Sequence, residues 1–178
     1  MPIEEQVCPV ERLTDGPFMH FFGYYDKCPW SQTEGSLLAL RVAFMDRPPT
    51  AQDMAVVGRF DQGGRGRWQP LAETTAWHWQ QGTMLQWLPS APETKIIFNT
   101  RRQDRFESCL LDVESREHVE FARSIYALSP GGRGALSLNF ARVHRTRPGY
   151  GYPGGTDRWA SAPAPEGDGI YYLDLESG

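Results

Sequence analysis

The sequence predicts an all-β fold: a β-propeller of four-stranded antiparallel blades, present here as an incomplete fragment of about three blades. Three observations carry that reading. Few windows longer than ten residues place apolar groups at three-four spacing without an interrupting glycine or proline, so helix signals are scarce. Short apolar or alternating runs bounded by turn residues are common, as strands require. Those runs also repeat one order of turn and strand along the chain, and a repeat of this kind decides the fold before any single element does.

The elements follow in order. LLALRVAF (37–44) and MAVVGRF (54–60) are strand-like runs with prolines, glycines and acidic residues between them. KIIFNT (95–100) and SCLLDV (108–113) enclose the charged stretch Thr100 to Arg105, which reads as a surface turn. ALSLNFARV (135–143) and GIYYLDL (169–175) complete the set. A Ser/Pro-rich turn restarts at Trp30, Trp87 and Ser129, in PWSQTEGSLLALR, WLPSAPETKIIFNTR and LSPGGRGALSLNFAR, each time followed by a strand. A second element then ends in aspartate and a polar turn: RFDQGGRG (59–66), LLDVESRE (110–117) and YLDLESG (172–178). Strand, turn, strand, loop, strand ending in Asp, tight turn and strand describe one propeller blade, whose two faces are both buried against neighbours. An irregular β-sandwich spaces short strands similarly and is the alternative. The units give a lead-in over 1–18 and a partial propeller over 19–178, with blades of about 19–77, 78–121 and 122–178. The third unit stops at Gly178 where a last strand is expected, so the remaining blades of the same propeller are the first expected partner.

The chain has 178 residues and a formal charge of -4, spread without a lysine-arginine run. This argues against nucleic acid and against a membrane surface as partners. No stretch approaches the ~20 apolar residues of a membrane span, and MPIEEQVCPVERL carries glutamates where a secretory leader needs positive charge. A cytoplasmic location is expected. Cys8, Cys28 and Cys109 are odd in number and widely spaced, so each is expected to be a lone buried thiol.

HFFGYYDKCPW (20–30) concentrates five aromatic side chains, a histidine and an aspartate. As the innermost strand of a blade, His20 to Tyr25 would open onto the central channel, with Phe22 and Tyr24 on one side and Phe21, Gly23 and Tyr25 on the other. Tyr24 and Tyr25 would then offer flat apolar faces with hydroxyls for stacking on sugar, and His20 an acid or base near neutral pH. Packing between blades is the competing role. WHWQQ (77–81) occupies the corresponding place in the second unit, so His78 and Gln80 would line the same channel while both tryptophans pack between blades. In ARVHRTRPGYGYPGG (141–155), read as a strand and then a glycine loop, Arg142, His144 and Arg147 with the Tyr150 shelf suit a carboxylate-bearing oligosaccharide. A solvated loop with paired arginines is the plainer reading. Asp112 and Asp174 end strands at turns and are expected to bond the turn backbone.

The opening HFFGYYDKCPW, with its histidine, aromatics and Lys-Cys pair, resembles the first blade of bacterial oligogalacturonate lyases. GTMLQWLPSAPETKIIFNT is similar to that family's second blade. The turns and the LDVESRE and LDLESG endings resemble TolB-like and WD-type propellers generally. The resemblance implies a seven-bladed propeller that cleaves short pectin-derived uronides by β-elimination, with a divalent, Mn-like metal held by histidines and a glutamine in the full-length protein. Those ligands belong to later blades, and none falls within this chain. RPPTAQDMAVV (47–57) and the 142–155 segment have no counterpart there. The function expected is thus binding, and by resemblance cleavage, of an acidic oligosaccharide; a non-catalytic propeller for protein partners is the alternative.

Overall fold

The computed structural model describes residues 8–177. Among the described residues, eleven strands form three antiparallel sheets, each a meander of consecutive strands. The first holds β1 (Met19–Phe21), β2 (Ser36–Val42), β3 (Ala55–Asp61) and β4 (Trp68–Thr74), in that order. The second holds β5 (Gln86–Trp87), β6 (Lys95–Arg102), β7 (Arg105–Asp112) and β8 (His118–Phe121). The third, ordered β11-β10-β9, is built from β9 (Ala127–Leu128), β10 (Gly134–Ser137) and β11 (Tyr171–Asp174). One short helix, α1 (Phe140–Thr146), lies in the long connection between β10 and β11. Among the described residues no helix is long and apolar enough to cross a membrane.

The middle sheet explains how the three are held. Successive side chains of a strand point to opposite faces, and both faces of β6 are buried. Ile96 and Phe98 join Leu38, Leu40, Ala55, Val57, Trp77, Cys109 and Leu111 in a core shared with the first sheet. Ile97 joins Met84, Phe121, Ile125, Ala135, Phe140 and Tyr152 in a second core shared with the third. Fully burying one such aliphatic or aromatic side chain is worth about 1.5–3 kcal/mol, so these two cores outweigh any strand propensity. Trp77 is fully buried between the first two sheets, and Trp79 packs beside it at 5.2 Å between ring centres, so both tryptophans of WHWQQ serve packing.

The aspartate turns behave as their chemistry demands. Asp112 accepts hydrogen bonds from the N–H groups of Glu114 and Ser115, both at 3.0 Å, and Asp174 accepts from that of Glu176 at 2.9 Å.

Several expectations are corrected. ALSLNFARV is not one strand: β10 ends at Ser137, and Asn139 caps α1 by accepting from the Arg142 N–H at 3.0 Å. A side-chain oxygen placed to satisfy an otherwise orphaned amide at this point favours helix over strand. Arg142 and His144 are therefore helical neighbours, not same-face strand residues. HFFGYY is a strand only to Phe21; Tyr24 to Lys27 form a tight turn, the Lys27 N–H donating to the Tyr24 carbonyl at 2.9 Å. Cys109 is buried, but Cys8 and Cys28 are exposed. Strands β4 and β8 carry no apolar pattern to announce them: both are sheet edges, and β4 contains Pro70 where an edge tolerates a missing N–H.

Candidate functional site

Three segments distant in sequence meet at one end of the sheets. The turn after β1 presents Tyr24 and Tyr25, with ring centres 4.3 Å apart. The loop after α1 brings Tyr150 edge-on to Tyr24 at 6.4 Å, and Arg147 lies over the Tyr150 ring at 4.9 Å. Lys27 lies over the ring of Tyr126, the residue before β9, at 5.2 Å. Local backbone conformation sets this up. Gly82 has φ +57, and a Cβ there would stand 2.9 Å from the Cα of Gly23, so a glycine lets the two chain segments cross. Gly151 has φ +67 and lies against the Phe140 carbonyl and the His144 amide, which brings the tyrosine loop down onto α1. The buried Gln81 side chain fixes that loop by accepting from the Gly151 N–H at 3.0 Å.

The electrostatics follow from crowding. The Tyr24 hydroxyl is pushed well above its ordinary range, first by its hydrogen bond with Tyr25, then by burial and by the neighbouring Tyr25, Tyr126 and Tyr150. Tyr126 is raised by burial and by Asp26, Tyr25 and Tyr150. The hydroxyls of Tyr24 and Tyr126 thus stay protonated at neutral pH and can donate as well as accept. Next to Lys27 lies a cavity of about 300 Å³ whose walls include Asp26, Lys27, Cys28, Gln86 and Leu128. The walls belong to the segment after β1, to β5 and to β9, the leading parts of all three sheets.

His78 and His144 form a pair beside the tyrosines, ring centres 6.4 Å apart. His78 is buried, each ring has a buried Nδ1 without a hydrogen-bond partner, and burial followed by the nearness of His144 holds His78 below the usual histidine value. Among the described residues no three His, Cys, Asp or Glu side chains come together as metal ligands. The pair therefore lacks the donor set a metal of the implied kind needs, and no step is assigned to one.

Of the residues singled out in the sequence, Tyr24, Tyr25, Arg147 and Tyr150 are brought together, and His78 meets His144. Three are not. His20 pairs with Arg41 across β1 and β2, and its ring packs edge-on to Phe60 at 5.3 Å and Trp68 at 5.0 Å. Burial and then the Arg41 charge lower its pKa. Arg142 is a clamp: it reaches Asp157 at 3.3 Å, Asp168 at 3.2 Å and the Trp159 carbonyl at 2.6 Å. Gln80 is exposed, and its neighbour Gln81 makes the contact instead. Lys27, Tyr126 and Gln81 were missed. Lys27 stands inside HFFGYYDKCPW, and Tyr126 occupies the apolar stretch before the third turn, the slot that WHWQQ fills before the second. No family model, no curated protein and no solved structure matches the chain.

Proposed function

We propose that the chain is a section of a β-propeller that binds an acidic, uronate-containing oligosaccharide at the tyrosine-lined end of its sheets. The observation that carries this reading is the meeting of the segment after β1 with β5 and β9 around one cavity. Leading strands gathered about a common axis are what a propeller requires. Stacked meanders, two of four strands and one of three, with a middle sheet buried on both faces support the same reading. Further sheets of the same kind would cover the outer face of the third sheet, where Leu136 and Tyr172 are exposed side by side, and the opposite face of the first, where Phe18 is exposed.

The ligand class comes from the side chains. Tyr24, Tyr25 and Tyr150 offer ring faces to a pyranose and hydroxyls to its hydroxyls, while Arg147 supplies positive charge for a carboxylate and Lys27, paired with Asp26 at 2.8 Å, stands beside them. The β-elimination suggested by the resemblance is a property of the complete propeller in this proposal, and no residue here is given the role of base.

Calorimetric titration with di- and trigalacturonate against a neutral disaccharide of equal length tests the reading. Binding of the uronides, weakened about tenfold or more in Lys27→Ala/Arg147→Ala as expected for lost charge-assisted hydrogen bonds, is the expected result. Appearance of an unsaturated uronide in the same mixture would report cleavage. Equal affinity for neutral and acidic sugars, or no heat with either, would overturn it.

A further inference from the structure

A second cavity, of about 330 Å³, opens on the other side of α1, between the β6–β7 hairpin, the Ser137–Ala141 segment and the loop carrying Thr156, Trp159 and Asp168. We propose that it binds a phosphate monoester carried on a ring, independently of the tyrosine site.

Charge comes first. Arg105, Arg123 and Arg158 all line the cavity. All three are exposed, and among the described residues none has a carboxylate within ion-pair distance. Arg123 lies 3.6 Å over the Tyr171 ring, which holds its guanidinium flat without satisfying its N–H groups. Two carboxylates, Asp104 and Asp168, also line the space. Asp168 is already engaged, accepting from Asn139 at 2.9 Å and pairing with Arg142 at 3.2 Å. With Asp104 the open carboxylate against three open guanidiniums, the wall stays net positive, and three guanidiniums around one small space match a dianionic phosphate better than a single carboxylate.

The interior supplies the second, independent observation. Ser137 is 1% exposed and lines this cavity, yet its hydroxyl has no hydrogen-bond partner. A buried polar group left unpaired costs about 1–3 kcal/mol, so an occupant able to pair with it is favoured. The neighbouring Ser124 hydroxyl already donates to the Leu138 carbonyl and does not compete. Trp159 and Phe106 make the apolar part of the wall, against which one face of a sugar or a base stacks. The volume lies at the small end of ligand pockets and suits a single ring with its phosphate.

The test is calorimetry on the full chain with two probes, glucose 6-phosphate and adenosine monophosphate, alongside inorganic phosphate and galacturonate. Saturable binding of either ester is expected, and the better one names the ring. Arg123→Ala/Arg158→Ala, exposed positions that leave the fold intact by thermal melting, should weaken it about tenfold or more. Ser137→Ala should weaken it several-fold, and Trp159→Ala should remove the advantage of the esters over inorganic phosphate. Lys27→Ala/Arg147→Ala, at the other site, should leave ester binding unchanged. Silence with both esters, affinity untouched by the arginine pair, no preference over inorganic phosphate, or preference for galacturonate would each overturn the assignment. None of these outcomes bears on the uronide titration above.

Discussion

At the scale of single residues, Asn99 ties more of the molecule together than any histidine does. It is fully buried in β6; its side chain accepts from the Ile125 N–H at 2.7 Å and donates to the Ile125 carbonyl and the Tyr152 hydroxyl, both at 2.9 Å. Its backbone carbonyl accepts the hydroxyls of Thr74 and Thr83 at 2.8 and 2.6 Å. Asn99→Ala strands three buried groups, each costing about 1–3 kcal/mol, so a loss of at least about 3 kcal/mol is expected in urea denaturation. His78 makes a different prediction. Its folded pKa lies below the ordinary 6.5, through burial and His144, so the unfolded chain binds the proton more readily. The stability it contributes is complete above 6.5 and is lost as pH falls from there through the lowered folded value. Thermal melts across that window should show a fall in wild type that His78→Gln reduces, the remainder belonging to His20, whose value is lowered as well; an equal fall in both would locate the effect elsewhere. Neither role was legible in the sequence. Asn99 sat inside KIIFNT as an ordinary polar end to a strand, because its partners lie on segments 16 to 53 residues away. His78 and His144 were both visible as candidates, but their pairing depends on the crossing at Gly82 and Gly151, which spacing does not encode.

At the scale of elements, the strands that could be read were those with short apolar or alternating runs. β2, β3, β6 and β7 each place such residues in the core between the first two sheets, and β6 buries both of its faces. Edge strands are half solvated and lose that signature: β8, HVEF, buries only Phe121. Helix α1 was hidden for another reason. Its seven residues are too few to show a period, and its stability comes from outside the helix. Asn139 caps it and donates to Asp157 at 3.2 Å and Asp168 at 2.9 Å, while Arg142 and Arg145 bind Asp157 from the helix side. Burial alone would raise the Asp157 carboxyl, but hydrogen bonds from Arg145, the Trp159 N–H and Asn139, with Arg142 beside it, hold it below the usual range. This contribution is present above the ordinary carboxylate value and lost as acid protonates the group. Asn139→Ala removes cap and clamp together. The cap is worth about 1 kcal/mol, and faster amide exchange over 140–160, with exchange in β6 and β7 unchanged, is the expected signature. The loop before β3 has a comparable fastening: Arg47 makes two hydrogen bonds to Asp53, at 2.6 and 2.8 Å, and holds its carboxyl far below the ordinary value. Asp53→Asn should loosen that loop alone, again by exchange.

At the scale of the whole molecule, the repeated grammar foresaw three antiparallel sheets in sequence, and their relation to one another is the claim most worth breaking. In β10, Ala135 is 1% exposed and belongs to the core shared with the second sheet, while Leu136 beside it is 45% exposed and pairs with Tyr172 on the opposite face. A stacked arrangement therefore makes neighbouring positions behave oppositely. Ala135→Asp buries an unpaired carboxylate between two sheets and should unfold the third sheet or the whole chain, since isolated buried charge is strongly disfavoured. Leu136→Asp sits on the open face, where surface substitutions stay within about 0.5 kcal/mol, and should lower binding of a hydrophobic dye while leaving the melting temperature nearly unchanged. Were both substitutions tolerated, the third sheet would not pack on the second, and the gathering of leading strands around the cavity next to Lys27 would lose its support. Were both destructive in the isolated chain, the outer face would already be covered, and self-association measured by light scattering would identify a second copy as the cover.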